Sequence, residues 1–399
     1  MYLQASRNRF RISAAAVILI LIGATVVAAS EPSGAAGAGP ASWNTLCAGR
    51  VGGASTPLVA GANCRLIQAG GLVRRYVVHV PTAVAASRAP APVVFMFHGS
   101  SGSGEQFYAI SGWRELADRE GVIAVFPTGE SYRVLDTGRL STKWNDFSLA
   151  CDVSASRPAG WPITAAYPAN DDAFVDVMLA ALRGTEQVDN ARIYASGFSN
   201  GSAFAQSLAI THADTFAAIG SWAGQARECL RADGTPVRPI VAPHLQTPPH
   251  TAVPLALGIG TRDEKYLAGI NEYLAAHGQP TITSIPLNLA TVNGAFGQAL
   301  LAPTLTNNGL AWVPGSAIGV ADWAGVAWRS TWPAPQYVTA EWSTPVPCNP
   351  TGSSFVFMLL DGVTHHYPNA APGKPTLIKQ SGSVNAAELF WKFFERHTN

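Results

Sequence analysis

Ala191-Arg-Ile-Tyr-Ala-Ser-Gly197-Phe-Ser199-Asn-Gly201 reads as a buried β-strand, Arg192 to Ala195, that runs into a glycine-flanked serine and then into a helix from Ser202 to about Thr211. This layout is that of a nucleophile elbow. A serine on so sharp a strand-to-helix turn has a strained backbone, and the residues two before and two after it approach so closely that side chains there would clash. Glycine at 197 and at 201 removes the clash. The turn lifts the Ser199 hydroxyl above the sheet edge and aims the first N–H groups of the following helix at the same point. A chance match in a Gly-rich, Ser-rich chain is the bland alternative, and the strand before and helix after the motif argue against it.

Working outward, strands and helices alternate, as a doubly wound sheet requires. Leu72 to Val80 alternates and is β-branched, an edge or second strand. Pro92 to Phe97 is a continuous apolar run ending in His98-Gly-Ser100-Ser-Gly-Ser-Gly104, so it reads as a strand buried on both faces with a loop at its carboxyl edge. No G-K-[ST] follows to make this loop a P-loop. The better reading is a second oxyanion donor, the Ser100 N–H, beside that of Asn200. His98 in such a strand-end turn reads as a structural imidazole rather than a base. Ser111 to Glu120 is read as a helix, Val122 to Phe126 as a strand, 130–169 as a loop bearing cysteine and tryptophan, and Asp171 to Leu182 as a helix capped by Asn170 or Asp171. Phe216 to Ser221 and Ser354 to Leu360 read as further strands, Leu255 to Asp263 as another strand ending in a turn, and Ala386 to His397 as a terminal amphipathic helix.

This order supplies a triad. A serine hydroxyl is a weak nucleophile until an imidazole takes its proton, and the imidazole needs a carboxylate to fix its tautomer. Ser199, Asp263 and His365 follow one another in the order Ser…Asp…His, each just beyond a predicted strand and hence at one edge of the sheet. Asp361 is the rival acid, but it sits only four residues from His365 at the end of the same strand. His366 is the rival base, and neighbours on a strand end point in opposite directions, so at most one of the two faces Ser199.

At 399 residues and 48% apolar composition, the chain can bury a large core. A formal net charge of +1, with no basic run beyond the N-terminus, argues against nucleic acid as a partner. Arg7, Arg9 and Arg11 followed by the apolar stretch Ala14 to Ala29 read as a signal peptide over 1–30, with Glu31 to Ser42 a flexible linker. An uncleaved anchor is the rival, with an apolar core shorter than a span needs. Cleavage implies export and no membrane association afterwards. Cysteines 47, 64, 151, 229 and 348 all lie in the exported part, where one or two disulfides are expected, Cys47–Cys64 being the easiest local closure. No ligand spacing supports a metal, and no cofactor is expected.

His98-Gly-Ser100, Asn170-Asp-Asp-Ala-Phe-Val175, Gly197-Phe-Ser-Asn-Gly201, Gly260-Thr-Arg-Asp263 and Gly362-Val-Thr-His-His-Tyr-Pro368 together resemble the secreted polyhydroxybutyrate depolymerase and feruloyl/acetylxylan esterase group of α/β hydrolases. The resemblance covers roughly 70–265 and 350–397. It is looser around the histidine, where the group usually carries glycines before it and Trp-Pro after it. Residues 264–350 exceed the group's usual connection and read as a cap-like insert within a catalytic domain spanning 43–399.

The resemblance implies serine ester hydrolysis outside the cytoplasm, on a polyester or an acylated plant polysaccharide, by what is expected to be a monomer. The reading reached is an exported serine esterase of α/β-hydrolase fold working through an acyl-enzyme on Ser199. A peptidase and a catalytically silent cell-surface binding module are the rivals; ester against peptide turnover, and labelling by a fluorophosphonate, separate them. Trp323, Trp328 and Trp332 in the insert are candidates for a substrate platform, against a private core for the cap.

Overall fold

The computed structural model describes residues 43–87, 89–185, 188–240, 252–307, 310, 318–319, 337–343, 354–368 and 385–399. The expected signal peptide and linker, Cys348 and the three candidate platform tryptophans therefore lie outside the described residues. The strands are β1 (Val51–Gly52), β2 (Gly61–Ala69), β3 (Leu72–Val80), β4 (Ala91–Phe97), β5 (Ile123–Pro127), β6 (Glu130–Arg133), β7 (Leu140–Lys143), β8 (Val188–Phe198), β9 (Ala218–Trp222), β10 (Leu255–Gly260), β11 (Ile318–Gly319), β12 (Tyr337–Ser343) and β13 (Ser354–Leu360). The helices are α1 (Trp43–Leu46), α2 (Thr82–Ala86), α3 (Gly104–Ile110), α4 (Trp113–Glu120), α5 (Leu149–Asp152), α6 (Asp171–Thr185), α7 (Asn200–Thr211), α8 (Glu264–Ala276), α9 (Leu289–Asn293), α10 (Ala295–Asn307) and α11 (Ala386–Phe394).

All strands but β6 and β7 join one sheet in the order β1-β2-β3-β5-β4-β8-β9-β10-β13-β12-β11. From β5 through β4, β8, β9 and β10 to β13 every pairing is parallel. At the flanks β3 runs antiparallel to β2 and β5, and β12 antiparallel to β13 and β11, while the short β1 pairs parallel with β2. This is a mostly parallel, doubly wound sheet with the layout of an α/β hydrolase, the strand that leads to Ser199 lying near the centre and turning straight into a helix.

The apolar runs are continuous because both faces are covered. Along β4, Val93, Phe95 and Phe97 enter the core shared with α6, α7 and α8, while Val94 and Met96 enter the core shared with α3, α4 and α11. In β13, Phe355, Phe357 and Leu359 alternate in the same way with Val356, Met358 and Leu360. Each such buried side chain contributes roughly 1.5–3 kcal/mol. The amphipathic stripe expected in α11 is there: Phe390 seats on Gly220 of β9, where any side chain would meet its ring, and Phe394 stacks on Tyr194 at 4.7 Å.

Four features go beyond the sequence reading. β2 precedes β3 and pairs with it over nine residues. Helix α3 precedes the expected α4, and its cap is Ser103, whose Oγ accepts the Gln106 N–H. The region read as a loop, 130–169, contains the β6–β7 hairpin and α5. Within the segment 264–350, the chain joins the sheet as β12, paired along the whole length of β13, and Trp342 is buried against Phe355 in the main core. Two disulfides are formed, Cys47–Cys64 and Cys151–Cys229. The first is the local closure expected. Among the described residues no helix is long and apolar enough to cross a membrane.

Candidate active site

Ser199 sits at the carboxyl end of β8 with φ +52° and ψ −120°, a left-handed conformation that costs a non-glycine residue roughly 1–3 kcal/mol. Its neighbours hold it there. The Ser199 N–H donates to the Trp222 carbonyl at 2.8 Å. A β-carbon on Gly197 would collide with the Gly201 carbonyl, and one on Gly201 with the carbonyls of Phe97 and His98. The glycines are thus required by close approach, as the elbow pattern anticipates.

The structure brings the three residues of the expected triad together at this edge. His365 Nε2 lies 2.9 Å from Ser199 Oγ, and His365 Nδ1 lies 2.9 and 3.1 Å from the two oxygens of Asp263. With the Nδ1 proton facing the carboxylate, Nε2 presents its lone pair to the serine hydroxyl. Asp263 is fully buried and also caps α8, its Oδ1 accepting the N–H groups of Lys265 and Tyr266 at 3.1 and 3.3 Å. The His365 N–H donates to Glu264 Oε2 at 3.0 Å, and the Phe198 ring lies 5.3 Å from the imidazole. The backbone and one face of the imidazole are therefore held as well as its Nδ1.

The rival groups are turned to other tasks. His366 points away: its Nδ1 pairs with Thr364 Oγ1 at 2.5 Å, its carbonyl accepts the Trp222 indole N–H, and burial lowers its pKa. Asp361 accepts the Thr261 hydroxyl at 3.1 Å and takes no part in the Ser–His–Asp chain. His98 is fully buried, with Nδ1 donating to the Gly99 carbonyl at 2.7 Å and Nε2 accepting the Gly129 N–H at 2.9 Å. Burial brings its pKa down to about 4, with the Gly99 bond opposing, so it is a neutral structural imidazole.

Of the two expected oxyanion donors, Asn200 adjoins Ser199 in the chain and Ser100 follows a residue packed against it. Asn200 opens α7, whose N-terminal end favours negative charge. The loop after β4 packs against the serine at Gly99, where a β-carbon would stand 3.3 Å from Ser199 Cβ, and Ser100 is the next residue of that loop. Among the described residues neither of these two N–H groups is taken by an acceptor. The hairpin β6–β7 buttresses this loop, the Ser101 N–H donating to the Thr142 carbonyl at 2.9 Å and the Thr142 hydroxyl to the Gly102 carbonyl at 2.7 Å.

Two site-neighbouring residues escape sequence reading. Trp144 and Asp146 lie in the region read as a loop, and both contact the Asn200 side chain. The only local signal is the spacing Asp146-x-Ser148, in which Asp146 Oδ1 accepts both the N–H and the hydroxyl of Ser148 at 3.0 Å.

Residues 74–230 match the family described as "Esterase PHB depolymerase". The relative named "Putative esterase NocK", from Nocardia uniformis subsp. tsuyamanensis, is 29% identical over 166 residues, 42% of this chain and 42% of that protein. The match thus spans under half the length of that relative. Among solved structures, the acetyl xylan esterase from Aspergillus awamori superposes with a TM-score of 0.40 at 13% identity, covering 81% of this chain and 94% of that one. A ferulic acid esterase gives 0.37 at 16%, covering 55% and 86%.

Proposed function

We propose that the chain is an exported serine esterase that cleaves carboxylic esters through an acyl-enzyme. The observation that carries this reading is the continuous chain Asp263–His365–Ser199, with both links at 2.9 Å. Ser199 Oγ attacks the ester carbonyl carbon while His365 Nε2 takes its proton. Asp263 stabilises the imidazolium, and the N–H groups of Asn200 and Ser100 hold the developing oxyanion. Collapse of the tetrahedral intermediate expels the alcohol, which receives the proton from His365. Water activated by the same imidazole then releases the acid.

The esterase family matched over 74–230 supports ester rather than peptide turnover. A polyester of the hydroxybutyrate type is the preferred substrate, with feruloylated or acetylated plant polysaccharide as the alternative. Trp323, Trp328 and Trp332 are proposed to contribute apolar surface for that chain, because their segment leaves after Asp263 and returns before His365. The two disulfides fit an oxidising compartment and so support export.

The test is labelling by a fluorophosphonate together with turnover of p-nitrophenyl butyrate, polyhydroxybutyrate film, methyl ferulate and acetylated xylan. Ser199→Ala is expected to abolish labelling and to lower turnover by several orders of magnitude with folding intact. A folded Ser199→Ala protein within about tenfold of wild type would exclude Ser199 as nucleophile.

A further inference from the structure

We propose that Trp144 and Asp146 are positioning residues for the oxyanion hole, gripping at once the two backbone segments that present its N–H donors. This rests on the reading of Ser199 as nucleophile given above. The first segment is held through the Asn200 side chain. Its Oδ1 accepts the Trp144 N–H at 2.7 Å, while its Nδ2 donates to the Trp144 carbonyl and to Asp146 Oδ2, each at 3.2 Å. One acceptor and two donors are thus engaged, and the residue that carries the first oxyanion N–H has no rotamer freedom left. The second segment is held through the Trp144 ring. Its Nε1–H donates at 2.9 Å to the carbonyl of His98, the residue from which the Gly99-Ser100 turn departs. The ring is wedged in place at 5.1 Å from Phe97 and 5.4 Å from Phe204.

The grip is itself anchored from several directions. The Asn145 N–H donates to buried Asp171 at 2.7 Å, the Cys229 N–H donates to the Phe147 carbonyl at 3.2 Å, and the Cys151–Cys229 disulfide joins the same two segments. Asp146 must be a carboxylate to serve. Ser148 supplies two donors to Oδ1 and Asn200 one donor to Oδ2, and one of the Ser148 donors is a backbone N–H that cannot turn away. An amide at 146 would set its own NH2 against that of Asn200. Burial, then repulsion from Asp152, push the Asp146 pKa up to about 6, so the charge is held in a site that does not solvate it.

The test uses the full mature protein with its disulfides formed. Trp144→Phe removes the bond to His98 and keeps the ring. Asp146→Asn and Asn200→Asp each set like groups against each other, and the double variant Asp146→Asn/Asn200→Asp restores one donor–acceptor pair. On p-nitrophenyl butyrate, each single variant is expected to lower kcat by about 10–100-fold with KM within about threefold, since a displacement of about 1 Å at a catalytic group costs on that order. Affinity for a trifluoromethyl ketone, whose adduct places an oxyanion on the same N–H groups, should fall by a matching factor. The double variant should recover at least about fivefold over Asn200→Asp.

Folded variants that retain kcat within about twofold overturn the proposal, as does a loss of kcat with ketone affinity unchanged. Where Asp146→Asn fails to fold, Trp144→Phe alone decides it by the same two readouts. A Ser199→Ala protein that still turns over would instead bring down the nucleophile assignment beneath it, whereas a dead Ser199→Ala beside fully active Trp144→Phe overturns the positioning role only.

Discussion

Asp263→Asn tests the site most sharply, because the structure predicts a large chemical loss with almost no structural one. The two oxygens of Asp263 differ in their surroundings: Oδ1 accepts the fixed N–H groups of Lys265 and Tyr266 and lies 3.1 Å from His365 Nδ1, whereas Oδ2 lies nearer to that nitrogen, at 2.9 Å. Asparagine has one acceptor and one donor. The backbone N–H groups cannot turn away, so the amide oxygen must take the Oδ1 place and the NH2 must face His365. An NH2 in the nearer place, 2.9 Å from Nδ1, opposes a proton on that nitrogen and favours the tautomer with its proton on Nε2, where it points at Ser199 and can no longer accept the serine proton. A tautomer error of this kind costs about 10⁴-fold in kcat in a serine hydrolase, or about 5.4 kcal/mol at 1.36 kcal/mol per decade. Helix α8 keeps its cap, since asparagine caps as well as aspartate, so the stability change should stay under about 1 kcal/mol. The assay is p-nitrophenyl butyrate turnover beside calorimetric melting, with Asp361→Asn as a comparison expected within about threefold of wild type. Should Asp263→Asn keep more than a tenth of wild-type kcat, or lose activity only as its melting temperature collapses, the reasoning fails.

Three further outcomes follow from the same geometry. His365→Ala should lower kcat by several orders of magnitude and His366→Ala by under about tenfold, and the reverse ranking in steady-state kinetics would reassign the base. Reducing Cys151–Cys229, which spans 78 residues, should cost about 4.5 kcal/mol of loop entropy against about 3 kcal/mol for Cys47–Cys64, which spans 17; urea midpoints of the two double-serine variants check the order, and an unchanged midpoint for the longer loop refutes it. His98 is held neutral with its pKa near 4, below the 6.5 of the unfolded chain, so the unfolded state binds the extra proton first and stability should fall by up to about 3 kcal/mol as pH drops from 6.5 to 4; melting curves of wild type and His98→Gln, which cannot titrate, should converge over that window, and parallel curves would show that His98 does not control it.

The fold was legible wherever burial on both faces made a strand continuously apolar. The expected ends of β3 and β13 coincide with the observed ones, as does the expected start of β10. β2 was missed because Gly61 to Ala69 interleaves Asn63, Arg65 and Gln68 with its apolar residues, and Arg65 reaches back to the carbonyls of Thr56 and Pro57, a pairing that no periodicity reveals. The β6–β7 hairpin was missed because its strands are only four residues each and mostly polar, with Tyr132 the one buried apolar side chain among them, and it is tied to the Ser101-Gly102 turn by hydrogen bonds rather than marked by an apolar stripe. The site divides along the same line. Ser199, Asp263 and His365 each follow a strand whose own residues announce it, so their convergence could be inferred from chain order. Trp144 and Asp146 reach Asn200 across 56 and 54 residues from an irregular segment, and only three-dimensional placement joins them.

Gly201 shows how fold and site come to depend on one another. It lies in the first turn of α7, where intrinsic propensity favours alanine by up to about 1 kcal/mol. The sequence nevertheless has glycine, because a β-carbon there would run into the carbonyls of Phe97 and His98 at the end of β4. Those carbonyls cannot simply yield. That of His98 accepts the Trp144 indole N–H, and the chain beyond it turns at once through Gly99 to Ser100. Any displacement that relieved a side chain at 201 would therefore travel into the loop that borders Ser199 from the other side. The close contact that stabilises the elbow is the same contact that sets the spacing between its two N–H donors, so at this position helix propensity is overruled by a constraint that belongs to the site.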